Sequence, residues 1–342
     1  MSTKQWAVES RSKRLMGAAR VLYHWQRGSS KLPYLPLEIG IEPTNRCNFA
    51  CEFCPQSLST HFDKIPATAL TPERLSTLLT KLREGGIATD ILHWTLDGEP
   101  FMNKQFSQLI ETAVEFGFKT HHFATNGALA TPDRLKTLPR KNAQFRMTPD
   151  FCANEALFEE VRGTAGSWRQ VLDNLTAILT TPEFDHIHLE INDITPYSVD
   201  DADELERQHD KLISLFPKSS RIAFYSRNFH NAAGTVASTL DERQAYKVCP
   251  YPWYSMYMGN NGDVVACCRD LEHQTVLGNL FEQTLDEVWN GERYQALRSS
   301  LKTGFPQDHD ACRNCDMPYD PAKFSVSNLA KSARKRLMLF KK

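Results

Sequence analysis

The stretch Cys47-Asn-Phe-Ala-Cys51-Glu-Phe-Cys54 puts three thiols into one short run of chain. Its C-x3-C-x2-C spacing makes a single compact turn. In a chain without an export signal, such a group reads as soft-metal ligation, not as part of a disulfide framework. A structural zinc closes with four ligands, and no fourth cysteine follows nearby. His61 is the candidate fourth ligand for zinc, seven residues on and just after a Ser/Thr-rich stretch. The competing occupant is an iron–sulfur cube, which takes four cysteines when it only transfers electrons. Three thiolates leave one iron with an open position, and an open position means chemistry.

Working outward, Leu37-Glu-Ile-Gly-Ile-Glu-Pro43 alternates apolar and polar residues and predicts a strand running into the cysteine loop. Thr71-Pro72 then opens a helix, with Thr as N-cap and Pro at the first helical position. Leu75, Leu78, Leu79 and Leu82 recur at helical spacing, and Gly85-Gly86 ends the segment. Asp90–Leu96 reads as a second strand and Phe118–Ala124 as a third, with a helix over 104–116 between them. Further strands are expected near 143–148, 186–191 and 220–225, separated by helices near 153–161, 167–179 and 200–215. Six strands alternating with helices argue for a parallel α/β sheet, because parallel strands need helical crossovers. Periodicity does not separate a doubly wound sheet from a partial barrel.

The remaining cysteines are Cys152, Cys249, Cys267, Cys268, Cys312 and Cys315, nine in all. Cys312-Arg-Asn-Cys315 is an x2 loop that can close a four-thiolate site with two distant thiols. Asn260-Asn-Gly262 predicts a hairpin turn between β-type residues, and a helix is expected over 284–300. A structural zinc ribbon held by four cysteines is the alternative for this region. The chain has 342 residues and a formal net charge of -1. The length suggests about two domains, and the charge balance removes the electrostatic case for a nucleic-acid partner. No apolar run reaches the ~20 residues of a membrane span, and the N-terminus lacks a signal-peptide core. The expected location is the cytoplasm.

The cysteine trio resembles the signature of the radical S-adenosylmethionine (SAM) superfamily, with Phe53 as the aromatic before the last cysteine. The resemblance implies a partial (β/α)6 barrel and a [4Fe–4S] cluster on Cys47, Cys51 and Cys54. It also implies that the open iron chelates SAM, whose reductive cleavage yields a deoxyadenosyl radical. Gly98-Glu99-Pro100 resembles the family's Gly-Gly-Glu-Pro element that holds the SAM amino group, with Asp97 in place of the first Gly. Thr125-Asn126-Gly127 resembles its Thr-Asn-Gly, Thr148-Pro-Asp150 its Ser-x-Asp, and Phe158–Gly163 its Tyr-x-x-x-Arg-Gly. The resemblance thus offers Thr148 for the ribose or carboxylate of SAM, Arg162 as a carboxylate clamp, and Glu190 facing the ribose. Cys249, Gly262 and Cys267, followed by Cys312 and Cys315, fit the SPASM/Twitch extension of this superfamily. That extension implies a small C-terminal domain, a β-hairpin plus helix, holding one auxiliary [4Fe–4S] cluster on Cys249, Cys267, Cys312 and Cys315. Cys268 is then the spare thiol.

These resemblances imply an oxidoreductase that abstracts a substrate hydrogen and removes two electrons, similar to the deoxy-scyllo-inosamine dehydrogenase type. The 46 residues before Cys47 are too few for a leader-binding domain beside the first strand. That favours a small polar or carbohydrate-like substrate over a ribosomal peptide. Cys152 follows the fourth strand, where its thiol could return a hydrogen atom and make the enzyme an epimerase; the other reading is a small core residue. A flavodoxin- or ferredoxin-type protein is the expected electron donor. The expected domains are a basic amphipathic helical segment (1–36), the barrel (37–235), the auxiliary-cluster domain (236–322) and a basic tail (323–342). The basic ends also suggest peripheral membrane contact. A zinc-binding interaction protein is the alternative from another class.

Overall fold

The computed structural model describes residues 11–227, 229–238, 246–304 and 306–319. Six strands run parallel in sequence order: β1 (Glu38–Ile41), β2 (Ile91–Trp94), β3 (Thr120–Thr125), β4 (Gln144–Phe151), β5 (Ile187–Asp193) and β6 (Ile222–Ser226). Helices connect successive strands, which is the (β/α)6 partial-barrel order. Two of these helices begin at a side-chain cap. Thr71 accepts from Arg74 N–H before Pro72–Glu84, and Asn154 accepts from Leu157 N–H before Glu155–Arg162. Leu75, Leu78, Leu79 and Leu82 are all buried on one face.

The C-terminal part continues the same sheet. β7 (Ser255–Met258) pairs parallel with β1, and β8 (Asp263–Val265) and β9 (Val276–Asn279) follow antiparallel, giving nine strands among the described residues. The turn at Gly259–Gly262 is the expected hairpin, with Gly262 at φ +87°. The helix expected over 284–300 is in fact two, Leu285–Trp289 and Glu292–Thr303. Between them, Asn290 turns its side chain to the backbone of Leu32, and that competition ends the first helix.

The N-terminal helix Arg11–Arg27 lies against this C-terminal part. Trp25 donates to the Val248 carbonyl at 3.2 Å, and Lys302 donates to that of Gln26 at 2.9 Å. Met16, Leu22 and Tyr23 remain exposed. No helix among the described residues is long and apolar enough to cross a membrane. The basic tail 323–342 lies outside the described residues.

The two faces of the parallel sheet differ. Leu92, Trp94, His121, Phe123, Phe145, Met147, Leu189 and Ile191 point to the helices and are buried. On the other face the register aligns Gly40, His93, His122, Arg146 and His188 across five strands. Glu190 and Tyr225 continue this face; Gly40 is buried against the Tyr257 ring, and the other residues are partly buried. A parallel sheet covered by helices on both sides is buried on both. Here this second side is polar, and Ala124 stands exposed within it.

Candidate functional site

The cysteine trio lies in the loop after β1, at the C-terminal ends of the strands, where parallel α/β proteins carry their sites. Two glycines clamp the loop. Gly98 has φ +72°, and a Cβ there would lie 2.3 Å from the Thr44 carbonyl oxygen; Gly163 has φ +62°, and its Cβ would lie 2.4 Å from that of Ala50. Only glycine fits either position. The backbone adds Glu99 N–H to Arg46 O (2.8 Å) and Glu52 N–H to Val161 O (3.0 Å).

Besides Phe53 within the loop and Gly98 against it, four more of the expected pocket residues meet there. Glu99, 1% exposed, accepts from the Thr125 hydroxyl (2.8 Å) and from Asn126 N–H (2.7 Å); burial raises its pKa and these donors oppose the rise. Pro100 opens the short 3-10 turn that Glu99 caps. Asn126 reaches Asn48 at 2.8 Å and the Cys47 sulfur at 3.8 Å. Arg162 is buried, ion-paired with Asp150 at 2.9 Å, with its guanidinium 5.4 Å from the Phe49 ring centroid and 5.6 Å from that of Phe53. The Nε of Arg162 is buried without a partner.

Burial pushes the Cys47 thiol up to about 12, with Glu99 adding to the rise, and pushes Cys54 well above its ordinary value. Cys51 is raised by burial and drawn back by Arg162. Three thiols that share one loop and lie close to a buried guanidinium fit an anionic iron–sulfur cluster. The trio, rather than any nitrogen, supplies the soft donors.

His61 does not join them. It turns Nε2 to Asp97 at 2.7 Å and faces Glu272 with Nδ1 at 3.6 Å, so carboxylates occupy both sides of its ring. This removes the fourth ligand from the zinc reading. It also accounts for Asp97 where the family pattern has glycine, because the carboxylate takes His61 on one oxygen and Gln56 on the other.

Thr148 and Glu190 sit apart from the loop, on the polar face of the sheet. The Thr148 hydroxyl donates to Phe123 O at 3.3 Å, and Glu190 pairs with Arg146 at 2.8 Å. Cys152 is 0% exposed within the core and donates to the Asn154 carbonyl at 3.3 Å, with burial pushing its thiol up to about 12. This is the placement of a small core residue. It presents no sulfur to an open site, so the hydrogen-donor role expected of Cys152 lacks structural support.

The structure adds Arg227, which the sequence did not single out. It follows β6, shares Asp150 with Arg162, and lies over the Phe53 ring at 4.7 Å. Asp150 would be raised by burial, but Arg227 and Arg162 outweigh that and hold it below its ordinary range. A lone arginine after a strand carries no spacing signal, and only the register shows where it lands.

The second thiol group lines one cavity. Cys249, Cys267, Cys312 and Cys315 border it together with Ala266, Leu301, Ala311, Met317 and Arg269. Cys268, next in sequence, does not line it and packs with Leu96, Tyr257 and Val265. Four thiols around an apolar hollow fit a closed, fully protein-ligated cluster.

The radical SAM superfamily model matches residues 41–180, and that of SPASM, an iron-sulfur cluster-binding domain, matches residues 249–316. The chain thus carries a radical SAM domain followed by a SPASM domain. As a radical SAM enzyme it is 22% identical over 279 residues to the S-adenosyl-L-methionine-dependent 2-deoxy-scyllo-inosamine dehydrogenase of Niallia circulans, covering 81% of this chain and 92% of that one. It is 26% identical over 191 residues to the PqqA peptide cyclase of Bradyrhizobium diazoefficiens, covering 53% of this chain and 48% of the other. Among solved structures, BtrN in complex with AdoMet and 2-DOIA superposes with a TM-score of 0.57 at 20% identity, covering 84% of this chain and 95% of that one. That likeness carries the fold. The family and its SPASM domain imply iron–sulfur chemistry and SAM for this radical SAM enzyme.

Proposed function

We propose that this enzyme cleaves SAM at a cluster on Cys47, Cys51 and Cys54 and oxidises a small polyhydroxylated, carbohydrate-like substrate by two electrons. A second [4Fe–4S] cluster is held by Cys249, Cys267, Cys312 and Cys315, and a flavodoxin- or ferredoxin-type protein supplies reducing electrons. When bound, the first cluster and SAM supply a hydrogen-abstracting radical, and the second cluster takes up the electron that remains.

The observation that carries the substrate class comes from the sheet. His93, His122, Arg146, His188, Glu190 and Tyr225 share one polar, partly buried face of the sheet. The His93 and His122 rings meet edge to face, with centroids 4.7 Å apart. Burial and the adjacent Arg146 lower the pKa of His188, leaving a neutral ring that both donates and accepts. Arg146 and Glu190 pair at 2.8 Å, and with the neighbouring imidazoles they make a wall of mixed hydrogen-bond donors and acceptors, which suits a hydroxyl-rich ligand. The Niallia relative, by its name, acts on such a compound.

Near the cluster loop, Arg162 and Arg227 outnumber their shared carboxylate. Together with Glu99 and Asn126 they suit a zwitterionic amino-acid group, with Arg162 toward its carboxylate and Glu99 toward its ammonium. Phe53, walled by Tyr197 and Phe229 at 5.6 and 5.2 Å, keeps water from that side.

Anaerobically reconstituted protein, dithionite and SAM test this directly. The expected result is deoxyadenosine, formed faster with an aminocyclitol such as 2-deoxy-scyllo-inosamine, and a product lighter by two hydrogens. Absence of deoxyadenosine from brown, iron-loaded protein overturns the enzyme reading. Stimulation by peptides alone would transfer the substrate class to peptides.

A further inference from the structure

Among the described residues, the four-thiol cavity has one charged residue in its wall. The guanidinium of Arg269 borders it, with Nη1 3.7 Å from the Cys268 sulfur and its carbon 5.0 Å from the centre of the Tyr251 ring. The backbone N–H of the same residue donates to the Cys267 sulfur at 3.4 Å. Among the described residues, no carboxylate reaches Arg269 within ion-pair distance. The nearby candidates are engaged elsewhere: Asp270 accepts the backbone N–H groups of Gln274 and Thr275, and Glu38 takes the Tyr257 hydroxyl. The Arg269 Nε is buried and unpartnered.

A cation that acts on Cys249 and Cys267, with no carboxylate partner among the described residues, has an electrostatic consequence. A cluster there gains one unit of negative charge on reduction, and a fixed positive charge stabilises the reduced form more than the oxidised one. Hydrogen bonds from N–H groups to cluster sulfur act in the same direction. Apart from the Tyr251 side chain, which hydrogen-bonds Arg269, the rest of the described wall is apolar and the charge of Arg269 is weakly screened. We propose that Arg269 sets the reduction potential of the auxiliary cluster, raising it so that the cluster can serve as the electron acceptor. This rests on the two-cluster reading above.

Redox titration followed by EPR, on fully reconstituted protein and its Arg269→Gln and Arg269→Lys variants, tests the inference without any substrate. Arg269→Gln should lower the auxiliary midpoint potential by at least the equivalent of tenfold in the reduction equilibrium, about 59 mV for one electron. Arg269→Lys keeps the charge but loses the planar fork, so its potential should fall between the two. The potential of the first cluster should stay where it is. If Arg269→Gln fails to assemble the second cluster, the lysine variant still decides by falling below wild type. Wild-type potentials in the variants that assemble it, or equal shifts at both clusters, overturn the proposal. Wild-type protein holding about four irons, not about eight, defeats the two-cluster reading itself.

Discussion

The two thiol sites are built on opposite plans. The N-terminal trio comes from one loop, pinned by backbone contacts at Gly98 and Gly163 and ringed by Glu99, Asp150, Arg162 and Arg227. The C-terminal four come from three separate stretches of chain and close on an apolar hollow with one cation. The first plan keeps polar groups of both signs beside an incomplete ligand set, as a site that must admit a charged cofactor requires. The second leaves no thiol position open, as a site that handles only electrons requires. One fold thus separates exchange of ligands from exchange of electrons.

Removing a thiol from each site gives the largest contrast. Cys51→Ala should bring SAM cleavage to the level of the protein-free control. Cys312→Ala should keep cleavage and abolish product, with the iron content near half in both. Equal loss of deoxyadenosine in the two variants would break the distinction. Next comes the scaffold of the first site alone: Gly163→Ala forces its Cβ onto Ala50 and should weaken the first cluster roughly 10–100-fold, as loss of supporting contacts around a metal site does. Iron titration of the variant checks this, and the auxiliary cluster should fill normally.

Much of the architecture was legible because it rests on local chemistry. The C-x3-C-x2-C spacing, the Thr71 cap, the leucine ladder of 75–82 and the Asn-Gly turn at 261–262 each act within a few residues. Gly98 and Gly163 were legible as motif members, and the structure supplies the steric reason. What stayed hidden depends on register and distance. The His93–His122–Arg146–His188 row exists only when four strands align, and Arg227 and Arg269 matter for what lies across from them. Asp97 reads as a departure in the sequence, and only His61 and Gln56, brought to its two carboxylate oxygens by the fold, account for it. The helix break at Asn290 needed the Leu32 backbone, far off in sequence, to explain it.

A smaller effect tests the join between the two sites. Glu42 is buried between the Asp97 turn and Asn260 of the hairpin; burial and then Asp97 carry its pKa from 4.5 to about 7, although Asn260 opposes the rise. A carboxyl with a raised folded pKa contributes stability below its unfolded value, and that contribution is lost as pH climbs through the folded one. Between pH 4.5 and about 7 the wild type should lose up to roughly 3 kcal/mol from this group. Glu42→Gln should flatten that part of the curve in urea unfolding at pH 5 and pH 8. An unchanged slope would mean that Glu42 is already ionised at pH 5.

The smallest expected effect separates two neighbouring thiols. Cys267 lines the cavity, while Cys268 turns to a packed pocket where burial raises its pKa and Arg269, with the hydroxyls of Tyr251 and Tyr257, opposes the rise. Cys267→Ser should therefore lose the auxiliary cluster. Cys268→Ser should keep it, with iron content, potential and turnover near wild type and stability changed by no more than about 1 kcal/mol, the worth of an ordinary hydrogen bond. The reverse pattern would move the ligand by one residue and turn the peptide between them, taking Arg269 out of the cavity wall. The pair of variants thus checks both the ligand set and the orientation on which the charge of that wall depends.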